Sequence, residues 1–216
     1  PEKIRVESDG VDLRRFADHS PPLEAKSQWP KRFPQDRPVM GYVGTLTTRE
    51  TLSKGVEDMV NAAAELKEKN VKIFTWIVGG PERAVEELRQ RAMHLGLTDA
   101  EIGFEGRIDA SRVSSALWAC DLCVYPAPAS RHSYFMRDTS PLKLFEYMAS
   151  RRPIVCADIP PVRDVVDERS VLFYQPGNAA MLAEQIGRVL GDPQEAQKRV
   201  RFAAETVQKH DWRMRM

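Results

Sequence analysis

Val39-Met40-Gly41-Tyr42-Val43-Gly44 and, after an intervening helical pattern, Ile73-Phe74-Thr75-Trp76-Ile77-Val78-Gly79-Gly80 are two short, continuous apolar runs, each closed by glycine. Runs of this length without polar alternation read as strands covered on both faces. Between them Val56, Met59, Val60, Ala63 and Leu66 recur at helical spacing behind Gly55, so the unit reads strand, helix, strand. The rhythm continues down the chain. Val85, Leu88, Ala92 and Leu95 line a helix ending at Gly96, and Glu101 to Phe104 form a short strand stopped before Gly106. Val113, Ala116, Leu117 and Cys120 mark a third helix, and Leu122 to Tyr125 a fourth strand. A long loop over 126–140 leads to a helix from Pro141 to Ser150, then to the strand Ile154 to Ala157. From about Asn178 the chain reads as helical, broken at Gly191-Asp192-Pro193. The expectation is a doubly wound, Rossmann-like α/β fold: a parallel sheet with helices on both faces. Ligands then bind beyond the carboxyl ends of the strands, in the loops after Val43, Val78, Phe104, Tyr125 and Cys156.

Composition excludes several other classes. The 216 residues carry 32 basic and 31 acidic side chains, a formal net charge of +1, which argues for no nucleic-acid partner. At 42% hydrophobic and 29% charged, the chain is neither disordered nor fibrous. No apolar run approaches the ~20 residues that span a bilayer. The chain opens on Pro1 without a leader pattern and reads as a fragment. Residues 1–38, with Pro21-Pro22, Pro30, Pro34 and Pro38, suit a wandering connection and read as an interdomain linker, leaving 39–216 as the domain. Cys120, Cys123 and Cys156 read as buried thiols, because the Cys-x-x-Cys pair has no companions at zinc spacing. His19, His94 and His210 also lack metal companions, so no metal is expected. His132 reads as a solvated loop residue, and Trp29, Trp76, Trp118 and Trp212 as packing residues. The basic tail Arg213 to Arg215 reads as a solvated helix end.

The stretch that carries chemistry is Arg137-Asp138-Thr139-Ser140-Pro141-Leu142-Lys143-Leu144-Phe145-Glu146-Tyr147-Met148-Ala149. Ser140 followed by Pro141 predicts a capped helix start with Pro at the first helical position. The amides of Leu142 and Lys143 would then be free donors at the positive helix end, which is an anion site. Leu142, Phe145, Met148 and Ala149 form an apolar stripe with Glu146 at its edge, so its carboxylate is half buried and needs partners. Vicinal hydroxyls, as on a ribose, suit its two oxygens. Asp138, just before the helix, faces the same site. Two carboxylates flanking an anion site suggest a phosphorylated sugar. The plainer alternative is an ordinary capped helix with an edge Glu in a salt bridge.

These residues also resemble a known family. Asp138-x7-Glu146, running into Phe145-Glu146-Tyr147-Met148-Ala149-Ser150 and Arg151-Arg152-Pro153-Ile154-Val155, resembles the E-x7-E segment of retaining GT-B glycosyltransferases of family 4. In the same order, Asp9-Gly10-Val11-Asp12 with Phe16 resembles the family's linker, and Gly41-Tyr42-Val43-Gly44 with Lys54-Gly55 its first strand and Lys-Gly loop. Val78-Gly79-Gly80, Phe104-x-Gly106, Asp121-Leu122-x-Val124-Tyr125-Pro126, Phe173-Tyr174-Gln175-Pro176-Gly177 and Trp212 complete the series. The resemblance implies the carboxyl-terminal, donor-binding domain of an enzyme passing a hexosyl group, with retention, from a nucleotide diphosphate of UDP or GDP type. It implies that Glu146 holds the ribose, Asp138 the sugar hydroxyls, Ser140 to Lys143 the diphosphate with Lys54 as its cation, and the backbone at Gly106, Arg107 and Ile108 the base. Gly44 belongs to the same site. The nucleotide sugar is a co-substrate, and no cofactor is implied.

Three departures mark this chain: Asp138 stands where the family usually has Glu, Thr45 where it commonly has an Arg after the first strand's Gly, and Arg151-Arg152 where it has Gly. Arg49, Arg131 and Arg137 are candidates to replace the lost cation. The acceptor, a saccharide or lipid-linked saccharide, would bind an amino-terminal domain not included here, and the fragment alone would turn over little. The expected address is cytoplasmic, with room for peripheral contact at the inner membrane face. Other readings are a GT-B epimerase or phosphorylase, or a non-catalytic nucleotide-binding scaffold. A dehydrogenase is disfavoured, since no Gly-x-Gly-x-x-Gly follows the first strand.

Overall fold

The computed structural model describes residues 10–17, 22–29, 33–34, 36–48 and 52–214. Asp9, His19, Pro21, Pro30, Arg49 and Arg215 lie outside the described residues. After a 3-10 turn at Leu13–Phe16 the elements are α1 (Pro22–Ser27), β1 (Val39–Val43), α2 (Glu57–Glu68), β2 (Phe74–Val78), α3 (Glu82–His94), β3 (Ile102–Glu105), α4 (Val113–Trp118) and β4 (Leu122–Tyr125). Then come α5 (Leu142–Ala149), β5 (Ile154–Ala157), α6 (Pro160–Arg163), β6 (Leu172–Tyr174), α7 (Ala179–Gly191) and α8 (Pro193–Gln208). All six strands run parallel in the order β3-β2-β1-β4-β5-β6. Every residue of β1, β2, β4 and β5 is buried, as continuous apolar strands between two helical layers must be. The order reverses between β1 and β4, which opens a crevice at their carboxyl ends.

The described residues of the leading segment pack onto the domain. Phe16, Ala25, Trp29 and Phe33 join the core, with the Trp29 and Phe33 rings 5.0 and 4.6 Å from that of Trp76. Lys26 Nζ lies 2.6 Å from Asp121 Oδ2, which also accepts the Val39 amide at 2.7 Å and so joins this segment to the start of β1. The aromatics of this proline-rich stretch are buried all the same, and their irregular spacing has no helical or strand period to reveal it. The tail returns to the same place, where the Val11 amide donates to the His210 carbonyl at 2.9 Å. Trp212, expected as a packing residue, is 44% exposed.

Three further expectations change. The loop over 126–140 contains a π-helical turn at Tyr134–Asp138. The helix after it begins at Leu142, with Pro141 as its cap residue and no side-chain cap from the exposed Ser140 hydroxyl. Leu142, expected on the apolar stripe, is 46% exposed, while Leu144, Phe145, Tyr147, Met148 and Ala149 are all buried. Packing explains this: α5 is covered by β4 and by α8, so most of its circumference faces protein and only its first turn projects. The three cysteines are free and buried, and Cys120 fills the space over Gly41, where a β-carbon would stand 2.1 Å from its sulfur. The Cys120 thiol is pushed up by its hydrogen bond with Cys123 and by burial, the state of an inert core sulfur.

Candidate functional site

The site is built around the first turn of α5. Tyr147, one turn further along, is fully buried and ties this helix to the end of β1: its hydroxyl accepts the Val43 amide at 3.1 Å and faces the Val43 carbonyl at 3.2 Å. β1 extends beyond its pairing with β4 here, so the phenol satisfies backbone groups the sheet leaves open. The anchor places Lys143 across the backbone of Gly44, whose φ of +157° and lack of a β-carbon leave a channel for the lysine stem. Gly79 follows the same logic, since a β-carbon on it would stand 1.8 Å from the Gly44 carbonyl oxygen. At the helix start the amides of Leu142 and Lys143 make no hydrogen bond to any described residue.

A cavity of about 310 Å³ lies over this turn, lined among others by Thr45, Lys54, Tyr134, Ser140, Leu142 and Lys143. Among the described residues that line it none is acidic. Lys54 and Lys143 line the same cavity, and Lys143 Nζ is 5.9 Å from the centre of the Tyr42 ring. Burial, and then Lys54, push the Lys143 amine down to about 7, against a smaller opposing pull from Glu146. Positive charge, free amides and a helix N-terminus converge on one space, an arrangement suited to a polyanion such as a diphosphate.

A second cavity of about 260 Å³ adjoins it, and Thr45 lines both. Its walls include Gly44, Gly79, Gly80, Arg107 and Ile108, from the loops after β1, β2 and β3, and Val113 at the start of α4. The Arg107 side chain packs on Gly80, where a β-carbon would meet it at 3.1 Å. The surface is largely apolar and backbone, suited to a flat heterocycle.

Glu146 is half buried and lines neither cavity. Burial raises its carboxyl pKa, opposed by Arg15 and Lys143. Arg15 Nη1 lies 3.6 Å from Glu146 Oε1, and its Nη2 donates to the Ala110 carbonyl at 2.5 Å. The guanidinium thus bridges α5 and the loop after β3, so the edge-Glu salt bridge and the half-buried carboxylate are both present. Asp138 is exposed at the end of the π-helical turn and lines neither cavity, although Thr139 and Ser140 directly after it line the first. Gly106 has open space around its α-carbon, and Arg107 and Ile108 carry the wall instead. The structure therefore brings Lys54, Ser140, Leu142 and Lys143 together, sets Gly44, Arg107 and Ile108 beside them, and leaves Asp138 and Gly106 outside. Arg131 and Arg137 are exposed and line neither cavity. Sequence reasoning missed Arg15, Tyr134 and Tyr147. Their partners lie far along the chain or in an unrecognised turn, so no local spacing signals them.

The family described as "Glycosyl transferases group 1" matches residues 37–192. The chain belongs to the group 1 glycosyl transferases. The 2-deoxystreptamine glucosyltransferase of Streptomyces kanamyceticus is 29% identical to this glycosyltransferase chain over 195 residues, covering 88% of it and 46% of the relative. A sucrose-phosphate synthase structure from Thermosynechococcus elongatus has a TM-score of 0.76 at 26% identity, over 95% of this chain and 48% of that one. The Anabaena Alr3699/HepE structure in complex with UDP-glucose has a TM-score of 0.74 at 21% identity, over 93% of this chain and 51% of that one. The glycosyltransferase chain thus spans about half the length of the proteins it resembles and shares the GT-B Rossmann-like fold. Among the described residues, no helix is long and apolar enough to cross a membrane.

Proposed function

We propose that this glycosyltransferase chain is the carboxyl-terminal, donor-binding domain of a retaining hexosyltransferase, with residues 39–216 as its Rossmann-like unit and the leading residues as the connection to an acceptor-binding half. The observation that carries this reading is the coincidence, in one cavity, of the free Leu142 and Lys143 amides with the Lys54–Lys143 pair. A nucleotide-diphosphate sugar would lie across the two adjoining cavities. Its diphosphate would sit at the helix start with Lys54, its base against Arg107, Ile108 and the Gly79-Gly80 backbone, and its ribose hydroxyls on Glu146. Asp138, at the rim, would meet the donor sugar's hydroxyls. As the bond from the sugar to the diphosphate breaks, charge accumulates on the departing oxygens, and the preorganised amides and lysines stabilise it there. The acceptor is held in place by the other half of the enzyme, so transfer depends on positioning across the two halves. The complex of a structural neighbour with UDP-glucose supports a nucleotide sugar as the ligand. A cytoplasmic enzyme acting at the inner membrane face fits this reading.

Titration calorimetry of the chain with UDP, GDP and ADP tests the proposal. One of the three is expected to bind, and Glu146→Ala is expected to weaken it by about 10- to 100-fold, the equivalent of ~1.5–3 kcal/mol for hydrogen bonds to a charged acceptor. Failure of all three to bind would sink the donor site. Binding indifferent to Glu146→Ala would sink the ribose role alone.

A further inference from the structure

Lys54, in the loop before α2, and Lys143, in the first turn of α5, share one cavity whose described lining offers no carboxylate. Two ammonium groups facing one cavity repel each other, and the positive end of α5 adds to that repulsion. The groups around Lys143 do not balance it. Tyr42 from β1 and Tyr125 from β4 are both held protonated by burial, so neither supplies negative charge. Tyr134 lines the cavity from the π-helical turn. Glu146, one turn along α5, is drawn instead to Arg15. Lys143 cannot relieve the strain by turning away freely, because its stem is seated in the channel over Gly44. An empty site of this kind sheds a proton, and a site filled by a polyanion takes it back.

We propose that Lys143 stands as a neutral amine in the empty site and that binding of the donor diphosphate is coupled to the uptake of one proton from solvent onto its Nζ lone pair. This rests on the donor-site reading above and adds a property that reading does not require. No bond of the nucleotide is made or broken in the step. The direction matches the effect of burial and of Lys54 on the amine, which place its titration at about 7 in the empty site. Above that pH the amine must first be charged, so affinity for a nucleoside diphosphate falls by about tenfold per pH unit. A nucleoside without phosphates recruits no proton.

Calorimetry of the 216-residue chain at pH 8, with whichever of UDP, GDP and ADP binds and in two buffers of different ionisation enthalpy, reads the proton directly. About one proton taken up per nucleotide is expected. Lys143→Arg, whose charge is permanent, is expected to bind nucleotide with the uptake lost. Lys54→Met, which removes the repulsion, is expected to reduce the uptake while leaving Lys143 in place. Heats independent of buffer in the native chain, or undiminished uptake in Lys143→Arg, would overturn the inference while leaving the donor site standing. No binding by any of the three nucleotides overturns both.

Discussion

Lys143 lies across Gly44 so closely that a β-carbon on the glycine would stand 1.8 Å from the lysine Cε. The two residues come from different elements, the end of β1 and the start of α5, and their contact fixes where the Lys143 amine sits in the cavity. Gly44→Ala is therefore expected to eject the lysine stem and to weaken nucleotide binding by about 10- to 100-fold, in the range of a lost charge-assisted contact. Calorimetry reads the affinity, and circular dichroism establishes that the sheet persists.

The same burial makes Lys143 a cost to the fold. Its amine titrates at about 7 in the folded chain, against an ordinary value of 10.5. The unfolded chain then binds more protons between those values, so this group makes stability rise with pH across that window. Lys143→Met is expected to stabilise the domain at pH 7, by a gain of roughly 4 kcal/mol, and to flatten the pH dependence between 7 and 10. Urea denaturation at pH 7 and pH 9 measures both, and a destabilised variant would contradict the assignment.

Asp58, buried in the first turn of α2, accepts the Gly177 amide at 2.8 Å and the Tyr174 hydroxyl at 3.2 Å. Burial raises its pKa despite these two bonds. The fold holds this proton more tightly than the unfolded chain does, so its contribution declines as pH climbs from the ordinary aspartate range through the raised value. Asp58→Ala removes the acceptor and is expected to destabilise by about 2–3 kcal/mol. Asp58→Asn keeps an acceptor and is expected to cost less, with weaker pH dependence from the ordinary aspartate range upward, as thermal denaturation against pH would show.

Arg15 reaches Glu146 from the leading segment and donates to the Ala110 carbonyl at 2.5 Å. If the ribose uses Glu146, it competes with this guanidinium. Arg15→Ala is expected to tighten nucleotide binding several-fold, and the gain should vanish in the Arg15→Ala, Glu146→Ala double variant. A tighter complex that persists without Glu146 would mean the two residues act separately.

Much of the fold is legible in the sequence alone. The apolar runs at Val39 and Ile73 gave away a parallel sheet because strands buried on both faces need no polar alternation. That sheet in turn located the cavities in the loops at its carboxyl edge, where Thr45, Gly80, Ile108, Pro126 and Ile159 now stand. The motif around Glu146 lies on the helix whose first turn heads the larger of the two cavities, but its local geometry differs from the expectation: Pro141 holds the cap position with no side-chain cap bond, and Leu142 faces out because the helix is packed on its other sides. The burial of Trp29 and Phe33 was illegible, since two aromatics among prolines follow no period. Arg15 was invisible for a different reason: both of its partners are brought to it only by the tertiary fold. β6 and the π-helical turn at Tyr134–Asp138 escaped notice because elements this short carry too few residues to express a period.

A crystal structure of the chain grown with UDP, GDP or ADP, whichever binds, tests the donor site most directly. The diphosphate is expected against the Leu142 and Lys143 amides with both lysine ammonium groups on it, the base beside Ile108 and the ribose on Glu146 in place of Arg15. A nucleotide bound elsewhere, for instance in the cavity of about 210 Å³ between α7 and α8 that Arg188 and Arg199 line, would contradict it.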